Sequence, residues 1–192
     1  MWFPLHTIRS ARLFAGGAVA LLCSAFTVHA QANEALGKAV SEIERVDALR
    51  SGLAGTFLQS GAPADLQAFA AVCRPVGQTL QQIGAANGWT VRQLATKYRN
   101  PANDADPEAV RHMQRFAQDT SLHALVLRAS LNGTSGVRYL RRITVEPSCL
   151  SCHGAKDTRP AFVVENYPRD RAFDFRTGDL RGVYSVFIPS VR

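Results

Sequence analysis

The five residues Cys149-Leu150-Ser151-Cys152-His153 constrain this chain more than any other stretch. Two thiols separated by two residues and followed at once by an imidazole have the attachment spacing of a c-type haem. The thiols would add to the two haem vinyl groups as thioethers, and the adjacent histidine would be delivered beneath the iron as its proximal ligand. A fold built around such a motif has to enclose a large flat macrocycle on that side of the chain. A bare Cys-x-x-Cys would fit zinc or disulfide chemistry as well; the following histidine favours haem and leaves those two as the competing readings.

Haem attachment of this kind requires export, and the N-terminus has the pattern of an export signal. Arg9 and Arg12 form a positive region, Leu13 to Phe26 is apolar and uncharged, and Val28-His29-Ala30 places small residues at a cleavage site before Gln31. The apolar run is short for a spanning helix, which needs about 20 residues. An uncleaved anchor is the alternative; a lipoprotein reading of Cys23 is disfavoured by the bulky Leu22 before it. The expected organisation is a signal peptide at 1–30 and one periplasmic domain at 31–192, with no membrane span after cleavage. The domain has 162 of the 192 residues, enough for a single core.

Removal of the signal takes two of the 22 basic residues and none of the 15 acidic ones, leaving a net charge of +5. No basic run is interleaved with aromatics, so nucleic acid is not an expected partner. The four cysteines say more. Cys23 leaves with the signal, and if haem takes Cys149 and Cys152, then Cys73 is an odd thiol in an oxidising compartment.

Val40, Ile43, Val46 and Leu49 to Leu53 recur at helical spacing and predict a helix from Glu34 to about Gln59. Gly61-Ala62-Pro63 should break it, with Pro63 starting a second helix over Leu66, Phe69, Val72 and Cys73 towards Ile83. Pro75 should kink that helix or offset a turn, and Asn87-Gly88 should end it. Trp89 to Arg99 reads as strand in part, and Asn100 to Asp104 as a loop. A third helix should open at Asp106-Pro107-Glu108 and carry Val110, Met113 and Phe116 on one face. Two strands, Ala124 to Ala129 and Val137 to Val145, flank Asn132-Gly133, a strong hairpin signal. Lys156 to Arg181 is polar and turn-rich, and Gly182 to Pro189 is a final apolar strand. Helices first and short antiparallel strands later predict an α+β fold.

The run Tyr139 to Cys149, continuing into Cys149-Leu150-Ser151-Cys152-His153-Gly154, resembles the PAS-like c-type haem family, long classed as a domain of unknown function. Tyr98-Arg99-Asn100-Pro101-Ala102-Asn103 matches as well. So does Gly178-Asp179-Leu180-Arg181-Gly182-Val183-Tyr184-Ser185-Val186, preceded by Tyr167-Pro168. These blocks cover most of the chain from Cys73 onward. One departure lies at Ala172-Phe173-Asp174-Phe175, where a glycine is expected in the turn. The resemblance implies a PAS-like antiparallel sheet with long N-terminal helices, one covalent haem c held against the sheet, and a redox or diatomic-gas sensing role. It also implies an axial pair of His153 and Cys73. No output domain follows in this sequence, so signalling would pass through a partner protein; the long first helix is compatible with a homodimer or with an intramolecular role.

His112, Met113 and His123 are the other candidate distal ligands, with core filling the plainer reading of Met113 and surface placement that of the two histidines. Cys73 could equally be an inert core thiol. Arg99, Asn100, Asn103, Arg141 and Arg142 lie in matched blocks or just before the motif; an arginine among them could hold a haem propionate, with loop bracing as the alternative. A haem with both axial positions filled leaves no open site for substrate. A redox or gas sensor is therefore the expected function. A small electron-transfer cytochrome is the runner-up, and a peroxidase-like enzyme using His112 or His123 the third reading.

Overall fold

The computed structural model describes residues 17–61 and 63–190, with side chains described from residue 33. The expected export signal and its cleavage site before Gln31 therefore lie outside the residues whose side chains are described. Among the described residues no helix is long and apolar enough to cross a membrane.

The first helix, α1, spans Gly17–Ser60. Ala39, Ile43 and Val46 lie three to four residues apart and are almost completely buried, which defines the face that packs inward. The second helix, α2, spans Leu66–Asn87 and sets Val76, Leu80 and Ile83 against that face. It starts three residues later than the sequence pattern predicts. Asp65, not Pro63, supplies the start: its carboxylate accepts the Ala68 N–H at 2.9 Å, satisfying a donor the first turn would leave open. The helix runs on through Pro75. It ends where Gly88 turns left-handed at φ 66° and donates its N–H to the Gly84 carbonyl.

Strand β1 (Thr90–Leu94) follows, then helix α3 (Pro107–Gln118), strand β2 (Ala124–Leu131), strand β3 (Thr134–Thr144), the short helices α4 (Leu150–His153) and α5 (Ala161–Asn166), and strand β4 (Leu180–Pro189). The strands form one antiparallel sheet in the order β1-β4-β3-β2. Asn132 and Gly133 connect β2 to β3 with φ of 51° and 78°, the pair of left-handed residues a two-residue hairpin turn needs. The α+β class and the antiparallel sheet are as the sequence predicts. The two short helices between β3 and β4 are not, because pieces of four and six residues carry no readable period.

The sheet separates two cores. On one face Tyr139, Ile143, Tyr184, Val186 and Ile188 meet α1 and α2. On the other, Leu140 and Val183 meet Ala109, Met113 and Phe116 of α3. Strand alternation explains why neighbours in β3 serve different faces. Arg138 and Arg142, four residues apart, both point to the α3 side. Arg138 pairs with Asp106 at 2.6 Å and Glu108 at 2.8 Å at the start of α3. Arg142 donates to the carbonyls of Phe116 and Asp119 at its end. The helix is thus held at both termini: at its start Asp106 and Glu108 carry the negative charge its dipole favours and Arg138 binds them, and at its end Arg142 supplies the positive charge favoured there.

The hydrogen bond from Arg138, together with the Ala109 N–H, lowers the Asp106 pKa to about 2 against the opposing effect of partial burial. A folded pKa below the unfolded value of about 3.9 means stability that is complete above about pH 4 and lost as the pH falls towards 2. Asp106→Asn should therefore show a lower urea midpoint than the parent at neutral pH, with the gap closing as the pH is lowered through that window.

Candidate functional site: a cysteine- and arginine-lined cavity

The motif sits where β3 leaves the sheet. Val145 donates to the Asp179 carbonyl at 2.9 Å and Gly178 donates back to Val145 at 2.8 Å, so the start of the motif is tied to the approach to β4. Pro147–Cys149 forms a 3-10 turn capped by Glu146. The single turn of α4 then brings Cys149, Cys152 and His153 to one face, as residues three and four apart must be. Gly154 ends the turn. A Cβ there would approach the Leu150 carbonyl oxygen to 2.7 Å, so only glycine fits without displacing that turn.

The orientation of His153 is set by its Nδ1, which lies 2.7 Å from the Ala172 carbonyl oxygen. A carbonyl only accepts, so Nδ1 carries the proton and donates. Arg99 Nη2, 3.3 Å from the same nitrogen, also only donates and makes no hydrogen bond to it in this tautomer. Burial, then the nearby Arg181 and Arg99 charges, push the imidazole pKa well below its ordinary value; the Ala172 carbonyl opposes them. His153 is therefore a neutral imidazole with its Nε2 lone pair free. That is the state of a metal-ligating histidine whose other nitrogen donates to the backbone.

Cys149, Cys152 and His153 line a cavity of about 420 Å³, within the size range of small-molecule sites. Its walls come from the C-terminal half of α1, the N-terminal half of α2, the end of β1 and the loop after it, the end of β3 and the start of β4. Cys73 lines it from α2. That side chain is exposed and belongs to neither side-chain core, so the inert core-thiol reading does not describe it. Surrounding protein and the neighbouring Cys152 raise the Cys73 thiol pKa, with Arg99 and Arg181 opposing. Cys73, Cys149 and Cys152 are free thiols.

Arg99, Asn100 and Asn103 also line the cavity. Arg99 donates to the Cys152 carbonyl at 2.6 Å. Asn100 holds its own loop by accepting the Ala102 N–H at 3.0 Å. Arg141 and Arg142 are not among the lining residues. Arg141 is committed to Glu44 at 2.9 Å and Asp47 at 2.9 Å on α1, and Arg142 to α3. His112, Met113 and His123 are likewise absent from the lining. Met113 is buried in the α3 core on the other face of the sheet, which is its plainer reading.

Arginines not singled out in the sequence also belong to the site: Arg181, although it lies in a matched block, Arg74, and Arg50, which carries no sequence signal of it. Arg181 lines the cavity and donates to the Lys97 carbonyl at 3.0 Å; burial and the nearby Arg99 lower its pKa to about 10. Arg50, on α1, holds Asp47 at 3.0 Å and Glu146 at 2.8 Å and lies 3.7 Å from the Cys149 sulfur. Ser51 adds a 2.6 Å bond to the same Glu146 oxygen. Burial acts to raise the Glu146 pKa, but these hydrogen bonds from Ser51 and Arg50 outweigh it and the pKa is lowered.

The donor set fits haem better than a bare ion. Two thiols and an open imidazole nitrogen face the cavity from one turn, a third thiol faces it from α2, and cationic groups stand around them. Among the described residues no group of three or more His, Cys, Asp or Glu side chains is arranged to hold a metal ion.

Comparison with known proteins agrees with this chemistry. A family model described as Tll0287-like matches residues 29–189. A solved structure, of the cyanobacterial haem protein Tll0287, is 46% identical, with a TM-score of 0.73 over 83% of this chain and 97% of that one. No curated protein matches.

Arg50 joins α1 to the turn before Cys149, so its loss should be felt in the whole fold. Arg50→Met should lower stability by about 1.5–3 kcal/mol, the range for hydrogen bonds to charged groups, read from urea unfolding.

Proposed function

The chain belongs to the Tll0287-like family, and we propose that it is a periplasmic c-type haem protein that senses redox state or a small diatomic ligand. The observation that carries the proposal is the convergence of Cys149, Cys152, the free Nε2 of His153 and the Cys73 thiol on one cavity. Cys149 and Cys152 would form the thioethers. His153 would be the proximal ligand and Cys73 the distal one. Arg99 and Arg181, with Asn100 and Asn103, would meet the propionates through charge-assisted and neutral hydrogen bonds. A bound haem would supply an iron centre whose oxidation state and axial ligation can change.

The residues explain why sensing is favoured over turnover. With the neutral His153 imidazole and the Cys73 sulfur as its ligands, a haem iron would have both of its protein donors in place and no open position for substrate. A peroxidase would need an acid–base group at the distal face, and neither His112 nor His123 lines the cavity. Export rests on Arg9, Arg12, the apolar run after them and the small residues before Gln31.

Electron transfer is the second reading, and one feature favours it. Lys97, Lys156 and Arg159 converge on the Phe173 ring at 5.9, 5.3 and 4.7 Å, beside the motif. A redox partner with an acidic surface would be drawn to that charge.

A pyridine haemochrome spectrum and an intact mass on periplasmic material should report one covalent haem, and Cys149→Ala at most one thioether. A mass equal to the bare polypeptide, with haem maturation active, would overturn the reading. A thiolate ligand stabilises ferric iron, so Cys73→Ala should raise the reduction potential and open the ferric protein to added ligands such as imidazole. An unchanged ferric spectrum and potential in Cys73→Ala would place the distal ligand elsewhere.

A further inference from the structure

Asp170 has no part in the proposal above, and its carboxylate is completely buried. Its oxygens are shared among three groups. Oδ1 accepts the Ala172 N–H at 2.9 Å and lies 3.5 Å from Arg99 Nε. Oδ2 accepts from Arg159 Nη1 at 3.2 Å. A buried carboxylate needs such partners to offset its lost hydration. Here two of the three partners in turn hold the motif. Ala172 presents the carbonyl that receives the His153 Nδ1–H at 2.7 Å. Arg99 grips the carbonyl of Cys152, the residue before that histidine, at 2.6 Å.

We propose that Asp170 is a positioning residue for the proximal imidazole, fixing His153 from both sides and offsetting the positive charge of Arg99 and Arg159 behind it. The inference rests on the haem reading above. One arm runs from Oδ1 through Ala172 to the ring nitrogen and fixes the tautomer and the ring plane. The other runs through Arg99 to the backbone of the motif turn and fixes the height at which the ring is presented. Asp170 stands between two cations, Arg99 at 3.5 Å and Arg159 at 3.2 Å, and its charge offsets part of the positive charge they bring to the surroundings of the histidine. A negative charge near an iron centre favours its ferric state, and a positive one its ferrous state.

That pairing yields a test with opposite signs. Asp170→Asn retains an oxygen for the Ala172 N–H but loses the charge. In the haem-loaded protein it should shift the reduction potential to more positive values while the ferric spectrum stays low-spin. Asp170→Ala loses the acceptor as well, and should add a high-spin component to the ferric spectrum and bind added imidazole several-fold more tightly. Arg159→Gln leaves Asp170 less neutralised and should shift the potential the other way. A merely structural role would move both members of the pair in the same direction. Should the Asp170 variants fail to accumulate, a negative shift in Arg159→Gln with the parent's thioether content still supports the inference. A haem-loaded parent whose three variants share its potential and spectrum overturns this inference alone, as does a positive shift in Arg159→Gln. A parent whose mass equals the bare chain overturns the haem reading and this inference with it.

Discussion

Strand β4 is buried on both faces for most of its length, and a strand in that position needs a cover on each side. Tyr184, Val186 and Ile188 are covered by α1 and α2, and Val183 by α3. Its two neighbours in the sheet, β1 and β3, are fixed by the same requirement, because β4 lies between them. The cavity walls are the ends of these elements: β4 begins at its edge with Leu180, β3 ends there at Thr144, and β1 ends at Leu94. Gly182 marks how closely they approach. A Cβ at that position would lie 2.4 Å from the Leu94 carbonyl oxygen, so the strands meet there without room for a side chain.

Charge gives the cavity its character. Arg50 and Arg99 are engaged by the protein: the first by Asp47, Glu146 and Ser51, the second by the Cys152 carbonyl and Asp170. Among the described residues Arg181 makes one side-chain hydrogen bond, to the Lys97 carbonyl, and stands 5.5 Å from the Phe175 ring centre, and Arg74, which also lines the cavity, forms no ion pair. The engaged pair braces the motif turn from α1 and from the loop after β1. The less engaged pair leaves donors for an anionic ligand. Burying Arg181 beside Arg99 costs free energy, as its lowered pKa reflects. A dicarboxylate macrocycle would relieve that repulsion on binding, which is why a cationic wall and a haem are physically consistent in one site.

Local features of this fold were legible in the sequence, and long-range ones were not. The motif, the three long helices, the Asn132-Gly133 hairpin and the last strand all rest on spacing within a few residues. Cys73 was legible as a candidate because three cysteines remain once Cys23 is assigned to the expected export signal. Arg50 and Glu146 are 96 residues apart and Arg99 and Asp170 are 71 apart, and no pattern joins them. Arg141 and Arg142 show a subtler failure. Side by side in sequence just before the motif, they look equivalent, but alternate residues of a strand face opposite ways. One goes to Glu44 and Asp47 on α1, the other to the end of α3, and neither lines the cavity. Proximity along the chain to Cys149 was no guide to which face each would serve.

The departure from the family pattern at Ala172-Phe173-Asp174-Phe175 has a physical account. Asp174 adopts φ 56°, the left-handed region that favours glycine. For a residue with a Cβ that conformation costs roughly 1–2 kcal/mol, less for aspartate and asparagine, whose short side chains bond locally. The Asp174 carboxylate does so, accepting the Lys156 N–H at 3.0 Å. Its own N–H donates to the Gly154 carbonyl at 2.6 Å, and the next residue, Phe175, donates to the His153 carbonyl at 3.1 Å. Glycine would adopt the turn more easily but could not hold Lys156. Aspartate replaces backbone freedom with an anchor, and the anchor fastens the segment after the motif to the same loop whose Ala172 carbonyl orients His153. The turn expected of glycine is thus retained, and the aspartate adds a bond where the loop, the motif turn and the His153 imidazole meet.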